Sequence, residues 1–314
     1  MALYLVTGGA GFIGSNICQQ LLKRGESVRI LDDFSTGKRE NIVGFKDSVE
    51  LIEGDLRDWE IVKRAMAGVD FVLHQGDLPS VERSIKDPLT TTQVNIMGTL
   101  NVLLAAHEAK AKRLVYASSS SVYGDTPTLP KKEAMKTNPQ SPYAVTKLIG
   151  EEYCRIYYSI YGLETVCLRY FNVFGPRQDP GSQYAAVIPK FITLMLKGKS
   201  PFIYGDGEQS RDFSFIDNVV EANLRACKAK KAPGEVLNIA CGKRITIKGL
   251  VEMLNKILQT RIEPTYEGPR KGDVRHSLAD ISQARKTLHY SPEIGFEEGL
   301  ERTVQWFQKK VCHN

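Results

Sequence analysis

Two residues four apart carry the clearest chemistry in this chain. In Ser141-Pro142-Tyr143-Ala144-Val145-Thr146-Lys147, Tyr143 and Lys147 are spaced to project from one face of a helix. A phenol titrates near pH ~10, so using it as a base near neutrality requires lowering its pKa by roughly 3 units, about 4 kcal/mol. An ammonium beside it, together with a second positive group, shifts the phenol in that direction in a dry pocket. Such a pair is also common on solvated helix faces, so its position decides. It follows the strand-like run Arg113 to Ala117 and the cluster Ser118-Ser119-Ser120-Ser121-Val122-Tyr123-Gly124. Ligands bind beyond the C-terminal ends of strands in open α/β sheets. A plain serine loop is the bland reading; four hydroxyls at that edge fit a polar site better.

A second constellation lies at the start of the chain. Leu3-Tyr4-Leu5-Val6 reads as a strand, and Thr7-Gly8-Gly9-Ala10-Gly11-Phe12-Ile13-Gly14 leads from it into a helix. Gly8 permits a tight turn, Gly11 lets the backbone approach a pyrophosphate, and Gly14 lets helix and strand pack closely. The first helical residues, Phe12 and Ile13, offer free N–H groups and the positive end of the helix dipole to an anion. Asp32 ends the next strand, 18 residues after Gly14. A carboxylate there accepts from a ribose 2′-OH and repels a 2′-phosphate, which favours NAD over NADP. A turn or capping role in Asp32-Asp33-Phe34-Ser35 is the rival. Asp33 adjoins that position, and Asp55 with Leu56, after the third strand, fits an adenine contact.

The elements that must position these groups alternate. Strands are expected over Leu3 to Val6, Ser27 to Leu31, Val49 to Glu53, Phe71 to His74 and Arg113 to Ala117, with helices between them, the first over Phe12 to Gly25. That alternation predicts an α/β fold: a doubly wound, Rossmann-type parallel sheet covered on both faces. Beyond Asn172 the texture changes to Gly-, Pro- and Asp-rich loops around helices such as Val187 to Lys197. A NAD-binding domain over 1–172, with a return contribution from about 213–241, and a smaller C-terminal substrate-binding domain over 173–314 are expected.

Composition bounds the rest. At 314 residues, 42% hydrophobic and 25% charged, the chain has material for a real core and reads as soluble and globular. The net charge of +6 is scattered rather than run together, which argues against nucleic acid. The six cysteines form no CxxC pair or Cys/His cluster, so neither a metal site nor a disulfide framework is expected. No leader peptide or 18-residue apolar stretch is visible, and a cytoplasmic enzyme without a membrane span is the expectation.

Taken together, the motifs resemble the extended short-chain dehydrogenase/reductase family and its nucleotide-sugar 4-epimerases. The likeness runs from Thr7-Gly8-Gly9 to Asp280-Ile281-Ser282. It takes in Asn95-Ile96-Met97-Gly98-Thr99, the serine cluster, Tyr143 with Lys147, Arg169-Tyr170-Phe171-Asn172-Val173-Phe174-Gly175-Pro176 and Arg211-Asp212-Phe213. The resemblance implies NAD as cofactor, a UDP-sugar as substrate and a homodimer. It implies Ser119 and Ser120 as catalytic hydroxyls, Tyr143 as base and acid, and Lys147 on the nicotinamide ribose. Gln75 and Asn95 would join the cofactor site. Ser80, Ser119, Ser121, Tyr143, Asn172, Ala186, Val187, Tyr204, Arg211, Arg270, Asp273 and Ser277 would line the substrate site.

Within the family, sugar 4,6-dehydratases carry an Asp-Glu pair where Ser120 and Ser121 stand, and glucuronate decarboxylases a glutamate at Ser121. Serines there leave oxidation and re-reduction at C4, through a 4-keto sugar. Epimerases limited to glucose and galactose often have a large tyrosine at the position of Ser277. The small side chain suggests UDP-GlcNAc/UDP-GalNAc, with UDP-Glc/UDP-Gal also open. A UDP-glucuronate 4-epimerase, or a non-catalytic NAD-binding protein, are the competing readings. One departure stands out. His74-Gln75-Gly76-Asp77-Leu78-Pro79-Ser80 places a carboxylate where the family keeps a small apolar residue. Unless paired, Asp77 is unfavourable beside a pyrophosphate.

Overall fold

Seven short runs rich in Val, Leu and Ile form one parallel sheet: β1 (Leu3–Thr7), β2 (Ser27–Asp32), β3 (Glu50–Glu53), β4 (Phe71–His74), β5 (Arg113–Ser119), β6 (Thr165–Tyr170) and β7 (Val236–Ile239). Their order across the sheet is β7-β6-β5-β4-β1-β2-β3. The computed structural model describes residues 1–181, 186–268 and 274–312. Successive strand residues enter opposite layers. Val6, Leu73, Val115 and Leu168 join the core on one face, while Leu5, Val72, Leu114 and Cys167 join the core on the other. With both faces covered, these strands read as continuous apolar runs rather than alternating ones.

The five strands expected from the sequence are present, four of them with ends shifted by one or two residues, and two strands are added. The strand before the serine cluster runs to Ser119, so Ser118 and Ser119 belong to the sheet, not to a loop. The first helix, α1 (Phe12–Lys23), closes before Gly25, which takes φ +75°. β6 and β7 extend the sheet beyond the expected set. β7 lies more than 60 residues after β6 and is only four residues long, too short for periodicity to separate a buried strand from a helical turn.

The chain reverses direction across the sheet between β1 and β4, where crossovers leave in opposite senses. This is the switch point at which open α/β sheets bind ligands. The turns after the two strands interlock there: a Cβ on Gly8, whose φ is +65°, would sit 2.7 Å from the Gly76 Cα. Helix α2 (Pro142–Ser159) lies along β5 and β6, and it reaches the sheet at Gly150, where a Cβ would stand 2.2 Å from the Tyr116 hydroxyl.

After β6 the chain adds further helices whose apolar faces join the core on one face of the sheet. They are Val187–Leu196, Ile247–Leu258, Ser282–Leu288 and Phe296–Cys312, joined by two- and three-residue strands. Helix Ile216–Lys228 and β7 return to the sheet layer, the helix packing on α1 and β5 and the strand pairing with β6. Among the described residues no helix is long and apolar enough to cross a membrane.

Candidate active site

Helix α2, which carries Tyr143 and Lys147, starts where chain chemistry demands it. Ser141 caps α2 by accepting from the Ala144 N–H at 3.1 Å, and Pro142 occupies the first turn, where its missing N–H costs nothing. The next residue, Tyr143, stands beside Ser119 at the end of β5, and the serine lowers its pKa. Lys147 follows beneath it, its ammonium donating to the Ala117 carbonyl at 2.6 Å and lying 5.7 Å from the Tyr143 ring centre. The structure therefore brings Ser119, Tyr143 and Lys147 together.

Lys147 has a further partner. Its Nζ lies 2.5 Å from Oδ2 of Asp77, with the two side chains 4% and 15% exposed. Asp77 is thus paired, the condition under which a carboxylate is tolerated in this loop. The expected lowering of Tyr143 joins Lys147 to a second positive group, and among the protein's own groups Lys147 instead faces this carboxylate. Among the protein's own groups the phenol is held above its ordinary value, first by burial and then by the Asp77 charge, with the Ser119 hydrogen bond opposing. The lysine's charge is paired with a carboxylate that itself acts on the phenol.

The four serines divide their labour. Ser118 donates to the buried carboxylate of Glu151 and is structural. Ser119 accepts from the Ser121 N–H at 3.1 Å as well as meeting Tyr143. Ser120 and Ser121 begin a short 3-10 turn, and the Ser121 hydroxyl is buried without a hydrogen-bond partner. A buried orphan hydroxyl two residues from Ser119 is a group that a bound ligand could satisfy. Behind the cluster, Arg169 on β6 binds Glu151 of α2 through two hydrogen bonds of 2.7 and 2.8 Å, and donates to the Tyr123 hydroxyl at 2.8 Å. Sequence inspection missed this network, although Arg169 inside an apolar strand was its signal.

The glycine loop fits a dinucleotide. A Cβ on Gly14 would meet the Gly8 carbonyl oxygen at 2.1 Å, so helix and loop touch as the motif requires. Gly11 is the N-cap of α1 and brings no side chain to its N–H groups, leaving those around Phe12 and Ile13 uncapped. Asp32 ends β2, accepting from the Ala10 and Phe34 N–H groups at 2.8 and 2.9 Å. It therefore shapes the loop as well as standing at the ribose position. Burial raises its pKa, against those two hydrogen bonds. Asp33 is exposed and caps its own turn through Ser35, while Asp55 is bound by Arg57, whose hydrogen bonds lower its pKa. Leu56 packs beneath Gly76 and Gly98.

Three residues expected to touch ligands act on the protein first. Asn95 is 1% exposed and holds Leu78 by its backbone N–H (2.8 Å) and carbonyl (3.3 Å), and Thr146 by its hydroxyl. It pins the Asp77 loop to α2. Gln75 joins Asn223 and Tyr170, and Ser80 caps helix Val81–Lys86 at a φ of +104°. His74, at the end of β4, is clamped between the hydroxyls of Thr7 and Thr99, and burial, with Lys147 nearby, pushes its pKa down to about 3. It is a neutral strut.

A cavity of about 560 Å³ has walls that include Asn172, Ala186, Val187, Tyr204 and Arg211. Asn172 takes φ +37° and donates to the Asp212 carbonyl at 3.1 Å, with Ser277 Oγ 3.4 Å away. Arg270 and Asp273 lie outside the described residues. Asp212 is fully buried, its carboxylate accepting from the N–H groups of Cys241, Gly242 and Ala279. That clamp fixes the segment carrying Arg211 against the one leading from Ser277.

Comparison with known proteins agrees with this geometry. The model of the NAD dependent epimerase/dehydratase family matches residues 4–240. A putative UDP-glucose 4-epimerase of Methanocaldococcus jannaschii is 39% identical over 98% of both chains. The UDP-N-acetylglucosamine 4-epimerase of Methanobrevibacter ruminantium, solved with UDP-N-acetylmuramic acid, superposes with a TM-score of 0.94 at 42% identity, covering 98% of this chain and 99% of that one. The UDP-glucuronic acid 4-epimerase of Bacillus cereus, solved with UDP-glucuronic acid and NAD, gives 0.91 at 34% identity, with 98% and 99% covered. The chain belongs to the NAD dependent epimerase/dehydratase family and is an NAD-using isomerase.

Proposed function

We propose that this enzyme inverts C4 of a UDP-linked hexose, with UDP-GlcNAc and UDP-GalNAc as its principal pair and UDP-Glc and UDP-Gal as further substrates. The observation that carries the reaction type is the Ser119 hydroxyl set beside Tyr143, close enough to lower its pKa, with serines and no carboxylate at 120 and 121. Eliminating water or carbon dioxide needs a further acid or base at that place; moving a proton on and off one hydroxyl does not.

NAD, when bound, would supply the redox half, as a reversible acceptor of the C4 hydrogen with its electron pair. The protein's own residues do the rest. The uncapped start of α1 and the Gly8–Gly14 loop would hold the pyrophosphate, and Asp32 would take the adenosine ribose. Tyr143 accepts the proton of the sugar 4-OH and later returns it, with Ser119 orienting the same oxygen. The cavity beside Asn172 and Arg211 anchors the nucleotide, so binding energy from the part that does not react can present both ring faces in turn.

Two observations support the N-acetylhexosamine reading. Ser277 presents a short hydroxyl beside Asn172 at the cavity, and the Methanobrevibacter enzyme shares 42% of its residues with this chain. The test is direct: purified protein with NAD is given UDP-GlcNAc, UDP-Glc and UDP-glucuronate separately, and each product mixture is resolved by NMR. Turnover of UDP-glucuronate alone would replace the sugar assignment, and turnover of none would remove the reaction.

A homodimer is part of the same proposal. The packed pair Pro88–Thr92 and α2, with the segment after it, leaves Leu89, Met97 and Val145 exposed at 67%, 50% and 40%. Light scattering at twice the chain mass is expected.

A further inference from the structure

The Asp77–Lys147 contact is too well built to be incidental. The loop carrying Asp77 is fixed on both sides: the Gly76 N–H donates to the Thr7 hydroxyl at 3.1 Å, and the Leu78 N–H donates to the Asn95 amide oxygen at 2.8 Å. Lys147 is equally constrained, held by Ala117 and packed 5.1 Å from the Tyr116 ring centre. Between these anchors the two charges meet at 2.5 Å.

We propose that Asp77 is a positioning residue for the reaction: it holds the Lys147 ammonium beneath Tyr143 while cancelling much of its charge, and thereby sets the pH range of turnover above that of the same enzyme without this carboxylate. The inference rests on the reading of Tyr143 as the base. A lone ammonium stabilises a phenolate beside it, whereas an ion pair, seen from the phenol, is close to neutral. The direction of the Tyr143 shift, to which Asp77 contributes after burial, agrees.

The other charged and titratable groups around the pair do not take over this role. On β4, His74 is neutral, and on β5, Tyr116 has its ionisation suppressed by burial. On β6, Tyr170 is hydrogen-bonded to Gln75 and Asn223, and Arg169 is closed against Glu151. The adjoining helix Val81–Lys86 carries Glu82, Arg83 and Lys86, with Glu82 and Lys86 exposed to solvent. The segments Gln93–Met97 and Gly98–Glu108 present Asn95 and Thr99, which are uncharged.

The experiment uses the NAD-loaded enzyme and the variants Asp77→Asn and Asp77→Ala. The first removes the charge and keeps the shape; the second also removes the acceptor. Expected is a downward move of the acidic limb of the kcat profile by about one pH unit or more in both. An activity-independent readout accompanies it: tyrosinate absorbance against pH, each protein minus its own Tyr143→Phe counterpart, should move the same way. A limb and a tyrosinate titration that stay in place, or move upward, overturn the proposal. So does a fall in kcat and stability with no change in either profile. Should no UDP-sugar be turned over, the proposed reaction falls, and the tyrosinate titration still decides the role of Asp77.

Discussion

Replacing Glu151 by alanine should be among the most damaging single changes in the Rossmann layer, although Glu151 touches no ligand. Its carboxylate and the Arg169 guanidinium are 4% and 5% exposed. After Glu151→Ala, Arg169 loses two charge-assisted hydrogen bonds and keeps one short contact, to the Tyr123 hydroxyl. Ser118 loses its acceptor as well. Two hydrogen bonds to a charged group at about 1.5–3 kcal/mol each give roughly 3–6 kcal/mol. Breaking a buried pair from one side independently suggests about 3–5 kcal/mol, because the remaining charge stays out of water. The two routes converge near 4 kcal/mol. Urea unfolding followed by tryptophan fluorescence and circular dichroism measures it, at unchanged denaturant slope. A loss below about 1 kcal/mol, the scale of an exposed pair, would refute the reasoning. The double change Glu151→Met with Arg169→Met should recover most of the loss, since it removes both charges.

Gly14→Ala should weaken NAD binding at least about tenfold by calorimetry, because its Cβ would press on the Gly8 carbonyl at 2.1 Å and drive α1 off the loop. Binding that is unchanged would mean the loop does not hold the pyrophosphate. Ser277→Tyr should cut turnover of UDP-GlcNAc far more than that of UDP-Glc; equal effects on both would remove Ser277 from the specificity argument. Asp212 predicts a pH effect of defined sign. Burial pushes its carboxyl up to about 6, against its backbone hydrogen bonds. The unfolded carboxyl loses its proton near pH ~4, so across that window the native state binds more protons and stability falls as pH rises, by roughly 3 kcal/mol from this group. Stability of the protein relative to Asp212→Asn, followed from pH ~4 to ~7, should therefore decline; a flat difference would show that the amide clamp keeps Asp212 ionised throughout.

What could be read in the sequence was what short-range chemistry dictates. Gly8, Gly11 and Gly14 are where they are because a backbone must turn and approach closely, and Tyr143 and Lys147 share a helix face by spacing alone. The sheet followed from apolar runs as far as Ala117. What could not be read depends on partners distant in the chain. Ser118 looks like its three neighbours until Glu151, 33 residues on, claims its hydroxyl. Asn95 looks like a ligand contact until the fold places it between Leu78 and Thr146. Asp77 stood out as a departure, yet its partner was 70 residues away, and only the juxtaposition of β4, β5 and α2 turned an anomaly into an ion pair. Charge pairs formed across a sheet leave no periodic trace.

The placement of β4 beside β1 has a consequence for how the enzyme comes into being. The first three strands alone display the glycine loop and Asp32, yet one wall of the switch point comes from residues after His74, another from the end of β5, and the base from a helix beyond it. Asn223, which holds Gln75 and Tyr170, arrives later still. Contacts this far apart in sequence form only after long loops close, which makes assembly slow and exposes apolar strand edges while it proceeds. A nascent chain therefore carries the cofactor signature well before it carries a working site, and the interlocked turns at Gly8 and Gly76 are one early step between the two.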